Sequence, residues 1–197
     1  MVRSVLSGYT GEPPDRLTFV KGAFGKPSLA ANGCGEKIEF NVSHSENLMV
    51  VAVSSIGCVG IDVEYLGGNA AWERVVPSAF TEREIAAVSS LPLPEQSAGY
   101  YQCWVLKEAY VKATGLGLTL PLRDVEVYMY CTEGRLRFSL AAAGAWWSQE
   151  VDVADDYVCA LVVDGSPRRV RCGLVPDHEW PGTKMCSVQP GSAIHPA

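Results

Sequence analysis

The sequence predicts an α+β protein, and three observations carry that expectation. Strand-like segments fill the first third of the chain, helical ones the middle and strands the last third, without the regular strand–helix alternation of a parallel sheet. The middle third holds the strongest local helix signals, a capping box and a long segment closed by glycine. The 197 residues, 48% hydrophobic and 19% charged, suffice for a packed core.

The opening "MVRSVLSGYTGEPP" reaches turn chemistry too early for a secretory leader. Segments 16–20 ("RLTFV") and 37–43 ("KIEFNVS") alternate as half-buried strands do, and the glycines and Pro27 between them mark 22–35 as loop. Two β-branched apolar runs follow at 48–54 and 56–64, and the short Ser54-Ser55 joint predicts a hairpin. Such runs are strand-sized, far below the roughly 20 apolar residues of a membrane span. After a loop and weak helix at 67–75, Thr81 and Glu84 have the Thr-x-x-Glu spacing in which hydroxyl and carboxylate satisfy each other's backbone N–H. Beyond the break at "LPLP", residues 95–114 read as one helix stopped by Gly115 in a left-handed conformation. Strands return at 124–130, 135–141 and 156–164, with a turn at 132–134, and the Pro- and Gly-rich end beyond about 175 predicts a loosely packed tail.

A net charge of −6 and a pI near 5.1 argue against a nucleic-acid-coating surface, which needs a basic stripe. Seven cysteines at 34, 58, 103, 131, 159, 172 and 186 include no Cys-x-x-Cys, and with three histidines they make a zinc site of usual spacing improbable. Reduced thiols in a cytoplasmic protein fit them best.

Three segments can carry chemistry. In "GIDVE" an apolar strand runs into Asp62 and Glu64, which alternation puts on one face, about 7 Å apart. Two solvated acids would explain this, and so would a divalent cation held between hard oxygens. In "WVLKEAYVKATGLGL", Trp104, Glu108 and Lys112 share one helix face. Glu108 and Lys112 fit a surface ion pair; they also fit a metal-binding general base and a cation for a phosphate. In "FNVSHS", Ser43 and His44 end a strand where they can form a turn or donate to a phosphate, but as strand neighbours they face opposite ways and make a poor nucleophile–base dyad. Lys26, in the Gly-rich "FGKP" loop, says little alone.

Taken together and in order, "YTGEPPDRLTF…GKPSL", "FNVSHS", "GIDVE", "FTEREIAAV" and "WVLKEAYVKATGLGL" resemble the 4′-phosphopantetheinyl transferases of the surfactin-synthetase-activating, Sfp-like type. The likeness spans roughly residues 9–120 and continues more loosely to about 165. It implies transfer of the phosphopantetheine arm of coenzyme A to a serine of an acyl or peptidyl carrier protein, with release of adenosine 3′,5′-bisphosphate. By the same likeness Asp62, Glu64 and Glu108 would hold Mg²⁺, with Mn²⁺ as an alternative. Glu108 would also take the serine proton, and Lys112 would bind the pyrophosphate. Ser43 and His44 would contact coenzyme A phosphates, Lys26 the region of its 3′-phosphate, and Leu116 and Leu118 the carrier.

The implied fold is two pseudo-symmetric α+β halves with the active site between them: 1–59, a shortened first half; 60–175, the half with the metal site; and 176–197, the tail. Eight residues precede Tyr9, and Arg3 is the basic candidate among them for the coenzyme A 3′-phosphate. Such an enzyme would work in the cytoplasm as a monomer, without nucleic acid or membrane. Two rival readings are a carrier- or coenzyme-A-binding module without turnover and, less favoured by the negative charge, a metal-dependent nuclease.

Overall fold

The computed structural model describes residues 1–30, 38–68, 72–132, 135–141, 146–165, 169–174 and 184–189. Alternation of apolar residues builds two packed sheets with helices outside them. In the first sheet β3 (Glu39–Ser45) pairs antiparallel with β4 (Leu48–Ser54) across a turn in which Glu46 takes a positive φ of 48°. In the second, β5 (Val59–Tyr65) pairs antiparallel with β9 (Tyr157–Asp164), whose other neighbour is β8 (Trp146–Glu150). Leu48, Val50 and Ala52 of β4 meet Val59, Ile61 and Val63 of β5 and Cys159, Leu161 and Val163 of β9 in the inter-sheet core.

The intervening residues of these strands face outward onto helices. Phe40, Val51 and Val53 pack on Val5 and Leu6 of α1 (Val2–Thr10), a helix that sequence reasoning missed behind the turn residues following it. Ala160 and Val162 pack on the opposite side, in a core with Cys103, Leu106, Ala109 and Ala113 of the long helix. The two-stranded sheet β1–β2 (Phe19–Lys21 and Pro27–Leu29) brackets the "FGKP" loop.

The middle third folds largely as its local signals dictate. α2 (Trp72–Ala79) precedes α3 (Glu82–Ser89), where both halves of the Thr81–Glu84 capping box form. α4 (Leu93–Thr114) starts two residues earlier than expected, because Pro94 fits a first helical turn that needs no N–H. Gly115, at φ 70°, closes it as expected. Two 3₁₀ turns (Gly117–Thr119 and Leu122–Asp124) lead to the hairpin β6 (Val127–Thr132) and β7 (Arg135–Leu140); residues 133 and 134 of its expected turn lie outside the described residues.

Two expectations are corrected. The runs at 48–54 and 56–64 form no hairpin: β4 and β5 belong to different sheets. Both are apolar on the faces that meet, so stacking them across the core buries more than an edge-to-edge pairing would. Nor is the tail loose throughout. β10 (Arg169–Leu174) and β11 (Lys184–Gln189) pair antiparallel, and β11 runs parallel to β4, giving the order β10-β11-β4-β3. The last third therefore returns to the first half's sheet; residues 175–183 and 190–197 lie outside the described set.

Because Val59, Ile61 and Val63 fill the inter-sheet core, Gly60, Asp62 and Glu64 turn toward α4. Gly60 lets strand and helix touch: a Cβ there would lie 2.0 Å from the Ala109 carbonyl oxygen and 2.4 Å from the Ala113 nitrogen. Since neither backbone can yield without moving α4, Gly60→Ala is expected to lower unfolding stability by about 3 kcal/mol, at the upper end for an overpacked core. Urea denaturation checks this, and an unchanged midpoint would refute the close approach.

Candidate active site

The helix-facing stripe of β5 meets one face of α4. Trp104, Glu108 and Lys112, each a turn from the next, lie over Asp62 and Glu64 as their spacing predicts. Lys112 Nζ pairs with Asp62 Oδ1 at 2.5 Å and donates to Ser43 Oγ at 2.9 Å, while Ser43 donates to the same Asp62 oxygen at 2.8 Å. Among the described residues Lys112 pairs with Asp62 and not with Glu108. The Trp104 side chain hydrogen-bonds Glu64, with the indole N–H as its only possible donor.

All three acids hold their protons more tightly than free carboxylates. Burial is the largest cause at each, and Asp62 adds repulsion to Glu64 and Glu108. At Asp62, Lys112 and Ser43 pull the other way but do not cancel burial. Asp62 Oδ2 is buried with no well-formed hydrogen bond, an orphaned acceptor at the centre of a repelling cluster. As they stand, no three His, Cys, Asp or Glu side chains among the described residues are close enough together to hold a metal ion. The donor set nonetheless fits a hard divalent cation, which satisfies a buried carboxylate oxygen, relieves the repulsion and completes its shell with water or phosphate oxygens.

Beside the acids opens a cavity of about 330 Å³. Glu108, Val111 and Lys112 of α4 form one wall, Phe24 to Pro27 and Asn41 of the first half another, and Gly115 and Gly117 the rim. The stem of Lys26 lies along it. Its ammonium donates to the carbonyls of Val59 (2.9 Å) and Ala113 (3.0 Å), tying the "FGKP" loop to β5 and to the end of α4.

The structure thus brings Ser43, Asp62, Glu64, Glu108 and Lys112 together, with Lys26 on the far wall. His44 is exposed and, by alternation, on the opposite face of β3 from Ser43. Arg3 donates to the carbonyls of Pro14 (2.8 Å) and Leu17 (2.6 Å) and lies 4.8 Å over the Phe19 ring, bracing α1. Leu116 is exposed at 41% beside the cavity; the side chain of Leu118 lies outside the described residues.

Sequence reasoning missed Asn41, Ser45 and Lys107. Asn41 Oδ1 accepts the Ile61 N–H at 2.9 Å, and Ser45 donates to Glu64 Oε2 at 3.0 Å. The signal was present in "FNVSHS": the inner face of β3 reads Asn-x-Ser-x-Ser, polar where a core strand is apolar. Lys107 is fully buried, 2.8 Å from Glu84. Its position between Cys103 and Val111, in a buried stripe, could have flagged it.

Comparison with known proteins follows the same lines. The model of the 4′-phosphopantetheinyl transferase superfamily matches residues 58–162. The 4′-phosphopantetheinyl transferase HetI of Nostoc sp. is 35% identical over 165 residues, covering 84% of this chain and 68% of its own. The 4′-phosphopantetheinyl transferase gsp of Aneurinibacillus migulanus is 30% identical over 124 residues, and the chain spans about half of it (49%). A holo-(acyl-carrier-protein) synthase from Bacillus anthracis, solved in complex with CoA (3′,5′-ADP), matches with a TM-score of 0.46 at 21% identity, covering 56% of this chain and 96% of its own.

Proposed function

Since the chain belongs to the 4′-phosphopantetheinyl transferase superfamily, we propose that it moves the 4′-phosphopantetheine arm of coenzyme A onto a serine of an acyl or peptidyl carrier protein. The observation that carries this reading is the meeting of Asp62 and Glu64 with Glu108 and Lys112 beside a cavity. Asp62, Glu64 and Glu108 would hold Mg²⁺, or Mn²⁺, whose oxygen preferences are similar. Bound there, the ion would neutralise pyrophosphate charge and polarise the phosphorus under attack.

The protein's own groups supply the rest. Glu108 takes the proton of the carrier serine, and burial, by raising its proton affinity, suits it to that task. The serine oxygen bonds to the pantetheine-side phosphorus as the bond from that phosphorus to the bridging oxygen breaks. The bridging oxygen departs with adenosine 3′,5′-bisphosphate. Lys112, already beside the acids, turns to the pyrophosphate and meets the charge on the leaving group. Ser43 would contact a coenzyme A phosphate and Lys26 would line the approach to the 3′-phosphate, while His44, on the other face of β3, would meet only a phosphate lying outside the cavity. Leu116, exposed beside the cavity, would touch the carrier, as would Leu118.

One chain contributes every group named, so a monomer suffices. Free thiols at Cys58, Cys103 and Cys131 suit a reducing cytoplasm, and among the described residues no helix is long and apolar enough to cross a membrane.

The test is mass spectrometry of apo carrier proteins incubated with the chain, Mg²⁺ and coenzyme A. A gain of one phosphopantetheine on the carrier serine is the expected result. No gain across acyl and peptidyl carriers, with coenzyme A nonetheless bound, would reduce the chain to a binding module.

A further inference from the structure

β3 and β5 are edge strands of different sheets, so no backbone ladder joins them. Side chains bridge the seam instead. Asn41, Ser43 and Ser45, at alternate positions of β3, contact the Ile61 N–H, the Asp62 carboxylate and the Glu64 carboxylate in turn. Their register partners on β4 are Ala52, Val50 and Leu48, so the same face changes from apolar to polar within one strand spacing. The change falls where β3 lies against the acids.

Ser45 uses both capacities of its hydroxyl. It accepts the Tyr65 N–H at 3.1 Å, which fixes the oxygen, and spends its one proton on Glu64 Oε2 at 3.0 Å. From α4, the Trp104 side chain reaches the same carboxylate. Glu64 needs such restraint, because it is half-buried and repelled by Asp62. A free carboxylate there would rotate toward water and away from its neighbour. Two donors, one from each side of the seam, hold it against that repulsion.

We infer that Ser45 is a positioning residue for the transfer reaction: it touches neither substrate and acts through Glu64, aiming that carboxylate at the cation. The inference rests on the transferase reading above. Removing a hydrogen-bond partner of a metal ligand typically costs about 10- to 100-fold in metal affinity.

Ser45→Ala is therefore expected to weaken Mn²⁺ binding at least about tenfold, measured by electron paramagnetic resonance of the full chain with coenzyme A present. The KM for coenzyme A should stay at the wild-type value, and Ser45→Thr, which restores a hydroxyl, should recover most of the affinity. Where Ser45→Ala does not fold, Trp104→Phe removes the other donor while keeping an aromatic ring and should shift Mn²⁺ affinity the same way. Wild-type Mn²⁺ binding by folded Ser45→Ala, or, where that variant does not fold, by folded Ser45→Cys, whose thiol is a weak donor, overturns the role of Ser45 alone. A wild-type chain that holds no Mn²⁺ overturns the metal reading and this inference with it.

Discussion

Glu108→Gln is expected to lower kcat for carrier modification about 10²- to 10⁴-fold, the usual worth of a general base. The amide keeps the shape of the side chain and cannot take a proton. Glu108 is a cavity wall as well as an acid, so coenzyme A binding should survive the change. The same substitution should raise the melting temperature of the ligand-free protein at pH 7. A carboxyl whose folded pKa lies above its unfolded one favours folding only below that window, and the contribution is lost as pH rises through it. At pH 7, above the unfolded pKa of a glutamate, the raised folded pKa makes the Glu108 carboxyl a net burden, which the amide removes. Lowering the pH should shrink the difference between the two melting temperatures, because the wild-type acid is then protonated as well. Turnover within a few fold of wild type would remove Glu108 from the chemistry; a lower melting temperature at pH 7 would refute the electrostatic account.

Lys107→Met is expected to lower unfolding stability by about 3–5 kcal/mol, the cost of stranding one half of a buried ion pair. Burial drives the Lys107 pKa down, and Glu84 is the main influence opposing it. The ammonium also donates to the carbonyls of Leu122 (3.0 Å) and Val125 (2.7 Å) and lies 5.4 Å from the centre of the Phe80 ring. Glu84 is equally committed: it pairs with Lys107, caps α3 through the Thr81 N–H and accepts the Val127 N–H at 2.7 Å. Without Lys107, an ionised Glu84 stays in the core with nothing to neutralise it. Adding Glu84→Gln should return part of the loss, since the amide can still reach backbone groups without a charge. Chemical denaturation of the two variants decides: equal midpoints for wild type and Lys107→Met would mean that the pair contributes nothing. Cys103, beside the pair, has its thiol pushed up to about 12, chiefly by burial, and is inert at neutral pH.

The site was legible in the sequence to the extent that its residues shared an element. The helical repeat puts Trp104, Glu108 and Lys112 on one face, and the strand repeat turns Asp62 and Glu64 the same way; both alignments appear in the fold. What the spacing could not reveal was the partner of each group. Four residues apart on a helix, Glu108 and Lys112 invite a local ion pair. Lys112 instead reaches Asp62, 50 positions back in the chain, because that carboxylate is more deeply buried than the half-buried Glu108 and so repays a cation more. The polar stripe Asn41, Ser43, Ser45 was likewise visible as a pattern, yet its purpose depends on β5 lying at the facing edge.

Local rules therefore determined much of this protein from its sequence alone. They include the α+β order, the Thr81–Glu84 cap, the stop at Gly115 and the faces on which the acids and Lys112 lie, all readable because each depends on residues within a turn or a few strand positions. Tertiary structure decided the rest. It separated β4 from β5, drew β11 in beside β4 and buried Lys107 against Glu84. Each of those outcomes is a competition among distant apolar faces and charges for the same buried space. Its winner is set by how much surface every alternative leaves in water, a quantity that no short window of sequence contains.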